Sequence, residues 1–263
     1  MDNASVLVQA RHGDDHVVEI VINRPEELNT LNNDLASEVI DACRTVRADE
    51  DVWVVLLRAS GERAFCAGAD LKERNSMTPD QWWEQRALFR AMYAELRNIP
   101  QPLVAAVQGY ALGGGTELAI SADIVLASAS AVFGLTEPRL GIIPGGGGTQ
   151  LLPRLVGLAR AKHLLLTGTR FSAEEALRWG LVAEVVDFGA LDATTDAYVS
   201  DLLACSPVST RAIKRAVHEG ADVALVDAMG IENEAYERVL ESDDRLEGIA
   251  AFNERRQPAW SGH

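Results

Sequence analysis

Apolar residues fall in short blocks along the first two thirds of the chain, separated by Gly- and Ala-rich segments. Residues 17–22 (VVEIVI) predict a strand that stops at the Asn23-Arg24-Pro25 turn. Residues 33–47 place Leu35, Val39, Ile40 and Cys43 at helical spacing, which predicts an amphipathic helix. Residues 52–59 (VWVVLLRA) form a nearly continuous apolar run, as expected of a strand covered on both faces. The cycle then recurs. A helix over 79–98 opens on Pro79, and a buried strand follows over 102–108 (PLVAAVQ). A short helix after Gly114 and a strand over 124–127 complete the series. From about Leu191 the pattern is helical throughout, over 191–205, 209–219, 223–240 and 243–254. This order predicts an α/β body followed by a helical tail, which can pack on its own body or on another subunit. There is no low-complexity linker and no solenoid repeat.

With 263 residues, 48% of them apolar, the chain can build one sizeable α/β core with an extension. Its 24 Lys and Arg stand against 39 Asp and Glu, a net charge of −15 that repels nucleic acid and anionic membranes at long range. An anionic ligand must then be held by backbone amides or by a few placed cations. Cys43, Cys66 and Cys205 are far apart and odd in number, so neither a disulfide framework nor a zinc site is expected. Residues 1–9 lack the regions of a secretory signal and no apolar run is long enough for a bilayer, so the expected location is cytoplasmic.

Chemistry concentrates in residues 64–72 (AFCAGADLK), 109–119 (GYALGGGTELA) and 133–150 (FGLTEPRLGIIPGGGGTQ). No P-loop, dinucleotide fingerprint, Gly-x-Ser-x-Gly elbow or His-Glu-x-x-His pair occurs, and the histidines do not cluster. A glycine run before a helix lets a ligand approach the backbone. It also leaves the first helical N–H groups unpaired, at the positive end of the dipole. Two such amides from different loops, aimed at one carbonyl oxygen, stabilise a developing oxyanion or enolate. Residues 67–70 and 113–115 each offer an amide of this kind. Glu117 falls in the first turn after the second glycine run, and Glu137 lies just before Pro138. Paired carboxylates in a dry cleft shift each other's protonation, leaving one as base and one as acid. Adding water to a double bond needs both. Each feature alone has a plainer reading, tight packing for the glycines and a dipole partner for Glu117; their combination points to catalysis.

At these residues the chain resembles the enoyl-CoA hydratase/isomerase (crotonase) family. The resemblance runs nearly end to end, from residues 22–29 (INRPEELN) through the three segments to residues 244–252 (DRLEGIAAF). It implies a spiral of ββα units as catalytic core over 1–195 and a C-terminal helical trimerisation region over 196–263, assembled as a homotrimer or homohexamer. It implies catalytic roles for Glu117 and Glu137 and an oxyanion hole at Ala69 and Gly114. Leu28, Ala67, Gly68, Asp70, Leu71 and Lys72 would bind CoA, and Phe252 would reach the CoA of a neighbouring subunit. No metal and no redox cofactor are implied, coenzyme A being part of the substrate.

Both glutamates are present, as in the family's hydratases; many isomerases keep only the one matching Glu137. The expected reaction is therefore reversible hydration of an enoyl-CoA, as in β-oxidation of fatty acids. Residues 71–74 (LKER), Met77 and residues 140–148 look similar to methylglutaconyl-CoA hydratases, an alternative assignment. Some of those bind RNA through a Lys-rich helix, whereas residues 33–47 here carry Asp34, Glu38 and Asp41 against Arg44 and Arg47, so RNA binding is not expected. Isomerisation, thioester hydrolysis and non-catalytic acyl-CoA binding are the competing readings. Residues 77–90 are expected to shape the acyl pocket, with one of Trp82 and Trp83 buried and the other half-exposed. A branched acid substrate would want a cation nearby, for which Lys72, Arg74, Arg86 and Arg90 are the candidates.

Overall fold

The computed structural model describes residues 4–263; the first three residues of the 1–9 segment lie outside it. β1 (Val6–Arg11) and β2 (Asp14–Ile22) form an antiparallel hairpin. After a turn at Pro25–Glu27 comes α1 (Asn33–Ala48), whose first turn is closed by the Asn32 side chain accepting from Leu35 N–H. The helix buries the apolar stripe of Leu35, Val39, Ile40 and Cys43. β3 (Val54–Ala59), β4 (Ala64–Cys66), α2 (Leu71–Asn75) and α3 (Pro79–Arg97) make the next turn of the chain. β5 (Leu103–Val107), β6 (Tyr110–Leu112) and α4 (Gly114–Ala119) make another. β7 (Ile124–Ser128), β8 (Val132–Gly134), α5 (Gly148–Val156) and α6 (Leu158–Thr167) repeat the order. β9 (Phe171–Ser172), α7 (Ala173–Arg178) and β10 (Glu184–Val186) close the body.

Each of three successive turns delivers one strand to each of two sheets. The larger sheet has the order β1-β2-β3-β5-β7-β10 and is parallel beyond the hairpin; the smaller has the order β4-β6-β8-β9. This is the spiral of ββα units that the resemblance implies. Alternation along β3 and β5 explains why both strands read as unbroken apolar runs. Val55, Leu57, Leu103 and Ala105 join Phe65, Phe133, Met92 and Leu96 in the main core. Val54, Leu56, Val104 and Ala106 face the other way, against Leu191 and Val199 of α8 (Leu191–Leu203). Fully burying one Leu or Val contributes about 1.5–3 kcal/mol. The expected boundary at residue 195 thus falls inside a helix that seals one face of the sheet.

Charged groups pin the same helix. Arg11 pairs with Glu19 in the interior and donates from Nε to Asp196 of α8 at 2.6 Å, while Arg58 donates to Glu19 at 2.9 Å. Beyond α8 lie α9 (Pro207–Gly220), α10 (Leu225–Leu240) and α11 (Asp243–Glu254). Buried Asp244 accepts from Ser206 Oγ at 2.7 Å and from Ser261 N–H at 2.8 Å, which ties the chain end back to the start of α9. Leu225, Val226 and Phe252 on this tail are 78%, 77% and 83% exposed, an apolar surface of the kind that marks an interaction face. Among the described residues no helix is long and apolar enough to cross a membrane.

Candidate active site

The spiral leaves a cavity of about 1030 Å³ between the strand-to-helix loops and one face of α3. Two loops meet at its floor. In the bridge between Leu31 and Ala69, Gly68 O accepts from Leu31 N–H and Asp70 N–H donates to Leu31 O, each at 2.8 Å. Those bonds use the groups flanking Ala69 and turn the Ala69 N–H to the opposite side. Gly114 is the first residue of α4, so its N–H has no partner within the helix. The two loops pack closely: a Cβ on Gly68 would lie 2.9 Å from Leu112 O and 3.9 Å from Gly114 N. Gly68 also has φ of +103°, a backbone that side-chain-bearing residues rarely adopt.

Glu117 and Glu137 both line this cavity and are 3% and 8% exposed. They are held differently. Glu117 Oε1 accepts from Gly146 N–H at 2.7 Å and from Gly148 N–H at 2.8 Å. Gly148 is the first residue of α5, so Glu117 sits at the positive end of that helix as well as in the first turn of its own. Burial raises the Glu117 carboxyl above its ordinary value; the amides of Gly148, Gly146 and Gly147, with the charge of Arg97, pull it back. Glu137 opens a turn at Glu137–Leu140, and its Oε2 is buried without a partner among the described residues. Burial pushes its carboxyl up to about 7, and the charge of Glu117 pushes the same way, against its own backbone N–H and Arg74. The glycine at 113 makes room for it, since a Cβ there would lie 3.0 Å from Glu137 Oε1. The pair therefore has unequal environments, one carboxylate clamped by amides and one carboxyl with a free, buried oxygen.

Tyr93, which nothing in the sequence singles out within the 79–98 helix, links these parts. Its hydroxyl donates to Gly114 O at 3.0 Å. A Cβ on Gly146 would lie 2.3 Å from its ring. One buried phenol thus packs against both the Gly114 loop and the Glu117 clamp. Burial raises its pKa well above the ordinary range, so it stays a neutral donor. The fold-back of residues 145–148 onto Glu117 was equally hidden: the glycine run is plain in sequence, but its partner is not.

A family model described as enoyl-CoA hydratase/isomerase matches residues 12–263. The chain belongs to this family. It is 39% identical over 264 residues to the human enoyl-CoA hydratase domain-containing protein 2, mitochondrial, covering 98% of this chain and 90% of that one. It is 38% identical over 250 residues to the mitochondrial methylglutaconyl-CoA hydratase of Rattus norvegicus, covering 94% and 79%. Its fold matches the crystal structure of an enoyl-CoA hydratase from Bacillus anthracis with a TM-score of 0.95 at 41% identity, over 98% of this chain and all of that one.

Of the residues that the enoyl-CoA hydratase/isomerase resemblance singles out, Ala67, Gly68, Ala69, Leu71, Gly114, Glu117 and Glu137 line the one cavity. Leu28 stands beside it, in the left-handed region with φ of +53°, and its carbonyl accepts from Ala67 N–H at 3.0 Å. Asp70 is a brace: it accepts from Lys72 and Glu73 N–H at 3.1 and 3.2 Å and from Arg24 at 3.3 Å, and these donors hold its carboxyl below the ordinary range against the effect of burial. Lys72 is exposed and outside the cavity wall, and Phe252 stands in solvent on α11. Of the four candidate cations, Arg74 and Arg86 line the cavity and Lys72 and Arg90 do not. The expectation of one buried tryptophan is corrected: Trp82 is half-buried on the cavity wall and Trp83 is 70% exposed. That turn of α3 borders the cavity rather than the core.

Proposed function

We propose that this protein is a hydratase that adds water reversibly across the α,β double bond of an enoyl-CoA thioester, giving a 3-hydroxyacyl-CoA. The observation that carries the reading is the pair of buried carboxyls in one cavity, Glu117 clamped by two glycine amides and Glu137 raised to about 7. The thioester oxygen accepts from the Ala69 and Gly114 amides, which hold the negative charge that develops there. Glu117, favoured as carboxylate by its two amide donors, takes a proton from water as the water oxygen bonds to the β-carbon. Glu137 gives its proton to the α-carbon as the charge returns from the oxygen. One proton is gained by Glu117 and one lost by Glu137, so exchange with solvent restores the starting state. Leu28 and the loop of Ala67, Gly68, Asp70, Leu71 and Lys72 line the path of the CoA, whose phosphates a chain of net charge −15 must hold by local amides and cations. The exposed apolar helices after α8 suit a trimer or a pair of trimers, in which Phe252 approaches a neighbour's CoA.

The test is consumption of crotonyl-CoA and longer or branched enoyl-CoAs, followed as loss of the enoyl-thioester absorbance, with product mass. Gain of one water supports hydration; unchanged mass indicates isomerisation and free CoA indicates hydrolysis. A protein inert on the whole panel overturns the reading.

A further inference from the structure

Four consecutive glycines make a weak clamp by themselves. Residues 145–148 have no side chains to pack, and glycine loses more backbone freedom on ordering than any other residue. Yet Gly146 and Gly148 keep their N–H groups on Glu117 Oε1. Two side chains of α3, one helical turn apart, hold the run from outside. The Tyr93 ring lies against Gly146, where a Cβ would come within 2.3 Å. Arg97 donates from Nη1 to Gly146 O at 2.6 Å. A Cβ on Gly147, whose φ is +126°, would lie 3.2 Å from the same nitrogen.

Arg97 has no carboxylate partner and no other hydrogen bond among the described residues. It stands outside the catalytic cavity and lines a second one of about 420 Å³, between the end of α3 and the helices α9 and α10. Beside it there, Lys214 is paired with Asp123 at 2.6 Å, Arg215 with Glu219 at 2.8 Å and His218 with Asp123 at 3.3 Å. Burial lowers the Arg97 pKa, and the charges of Glu117 and Tyr93 oppose that. Its bond to Gly146 O polarises the peptide that carries the Gly147 N–H, the third amide turned toward Glu117. The other titratable groups around Glu117 are Tyr93 of α3, Cys66 of β4 and Glu137. Burial keeps the phenol and the thiol neutral, the thiol pushed up to about 12, and Arg74 acts on Glu137. We infer that Arg97 is a positioning residue for Glu117: it latches residues 146–148 onto that carboxylate through the Gly146 carbonyl and brings a positive charge up behind it. Substrate never touches it.

This inference rests on the reading of Glu117 as the base of a hydratase for its turnover arm, and a second arm is independent of turnover. Arg97→Met is expected to lower kcat about tenfold, the size of one lost charge-assisted hydrogen bond, with KM little changed. The acid limb of its pH profile is expected to move to higher pH, because Glu117 loses the cation that favours its carboxylate, while the alkaline limb set by Glu137 stays. Arg97→Lys keeps a cation and is expected to hold the acid limb near its wild-type position. Arg97→Gln, a donor without charge, serves where Arg97→Met does not fold. In Arg97→Ala, guanidinium ion at sub-denaturing concentration is expected to restore part of kcat through the second cavity, with no gain in wild type. Carbon-13 NMR of carboxyl-labelled glutamate, assigned with Glu117→Gln, reads the Glu117 ionisation directly. An ionisation raised by Arg97→Met in a protein that hydrates no enoyl-CoA keeps the hold of Arg97 on Glu117 and refutes the hydratase. An acid limb and a Glu117 ionisation that stay in place in a folded variant overturn the inference, as does an equal shift in Arg97→Lys and Arg97→Met.

Discussion

Replacing Glu137 with Gln is expected to make this protein more stable at alkaline pH while disabling it. The native carboxyl lies near 7 against an ordinary 4.5, so between those values the folded chain binds a proton that the unfolded chain has released. Stability therefore falls as pH rises through that window, the reverse of a carboxylate that gains an ion pair on folding. A rise from 4.5 to about 7 corresponds to about 3 kcal/mol at about 1.36 kcal/mol per pH unit. Relief through Arg74 and water entry makes that a ceiling. Gln copies the neutral carboxyl and does not titrate. Urea unfolding of wild type and Glu137→Gln at pH 5 and pH 8.5, at equal protein concentration, checks the claim. The variant is expected to gain up to about 3 kcal/mol relative to wild type on going to the higher pH. Parallel pH dependence of the two would refute the reasoning, because it would mean that Glu137 ionises normally in the folded protein.

The same carboxyl sets the activity profile: the hydration kcat/KM is expected to fall as pH rises through about 7, where Glu137 loses the proton it must donate, and the falling limb should follow a single ionisation. Glu117→Gln keeps an oxygen for the Gly146 and Gly148 amides but loses the base, so turnover is expected to drop about a hundredfold or more in a variant that is still folded. Tyr93→Phe removes the donor to Gly114 O, with an expected cost of about 1 kcal/mol in urea unfolding and a larger change in kcat than in KM. Gly115→Ala puts a Cβ 1.9 Å from Cys66 O, so α4 cannot dock where it does, and a loss of about 3 kcal/mol with loss of turnover is expected.

Periodicity in the sequence located the elements that are long and sided. The helix read over 33–47 is observed as Asn33–Ala48, and that read over 243–254 as Asp243–Glu254. The strands read over 52–59 and 102–108 are observed as Val54–Ala59 and Leu103–Val107. Such elements bury a stripe or both faces, and burial leaves its period in the residue pattern. The smaller sheet left no such trace. β4, β6 and β8 have three residues each, too few for an alternation to be read, and lie in segments whose glycines point to loops. The helices α5, α6 and α7 and the strand β10 went unread for a related reason. Their packing surfaces are short and interrupted, as at Pro153 inside α5.

The chemistry divides in the same way. The residue types of the site, two glutamates among glycine-rich loops, stand in the sequence because chemistry fixes which atoms are needed. What the sequence cannot carry is which remote backbone each side chain meets. Only the closing of the spiral brings Gly146 and Gly148 onto Glu117, sets Tyr93 between two loops, and leaves one oxygen of Glu137 buried without a partner. The unequal protonation of the pair comes from that burial and from those amides, so it belongs to the tertiary structure. The same holds for Arg74. In the sequence it is one of several cations, and only the folded packing of Gln85, Trp82 and Phe89 places it on the cavity wall.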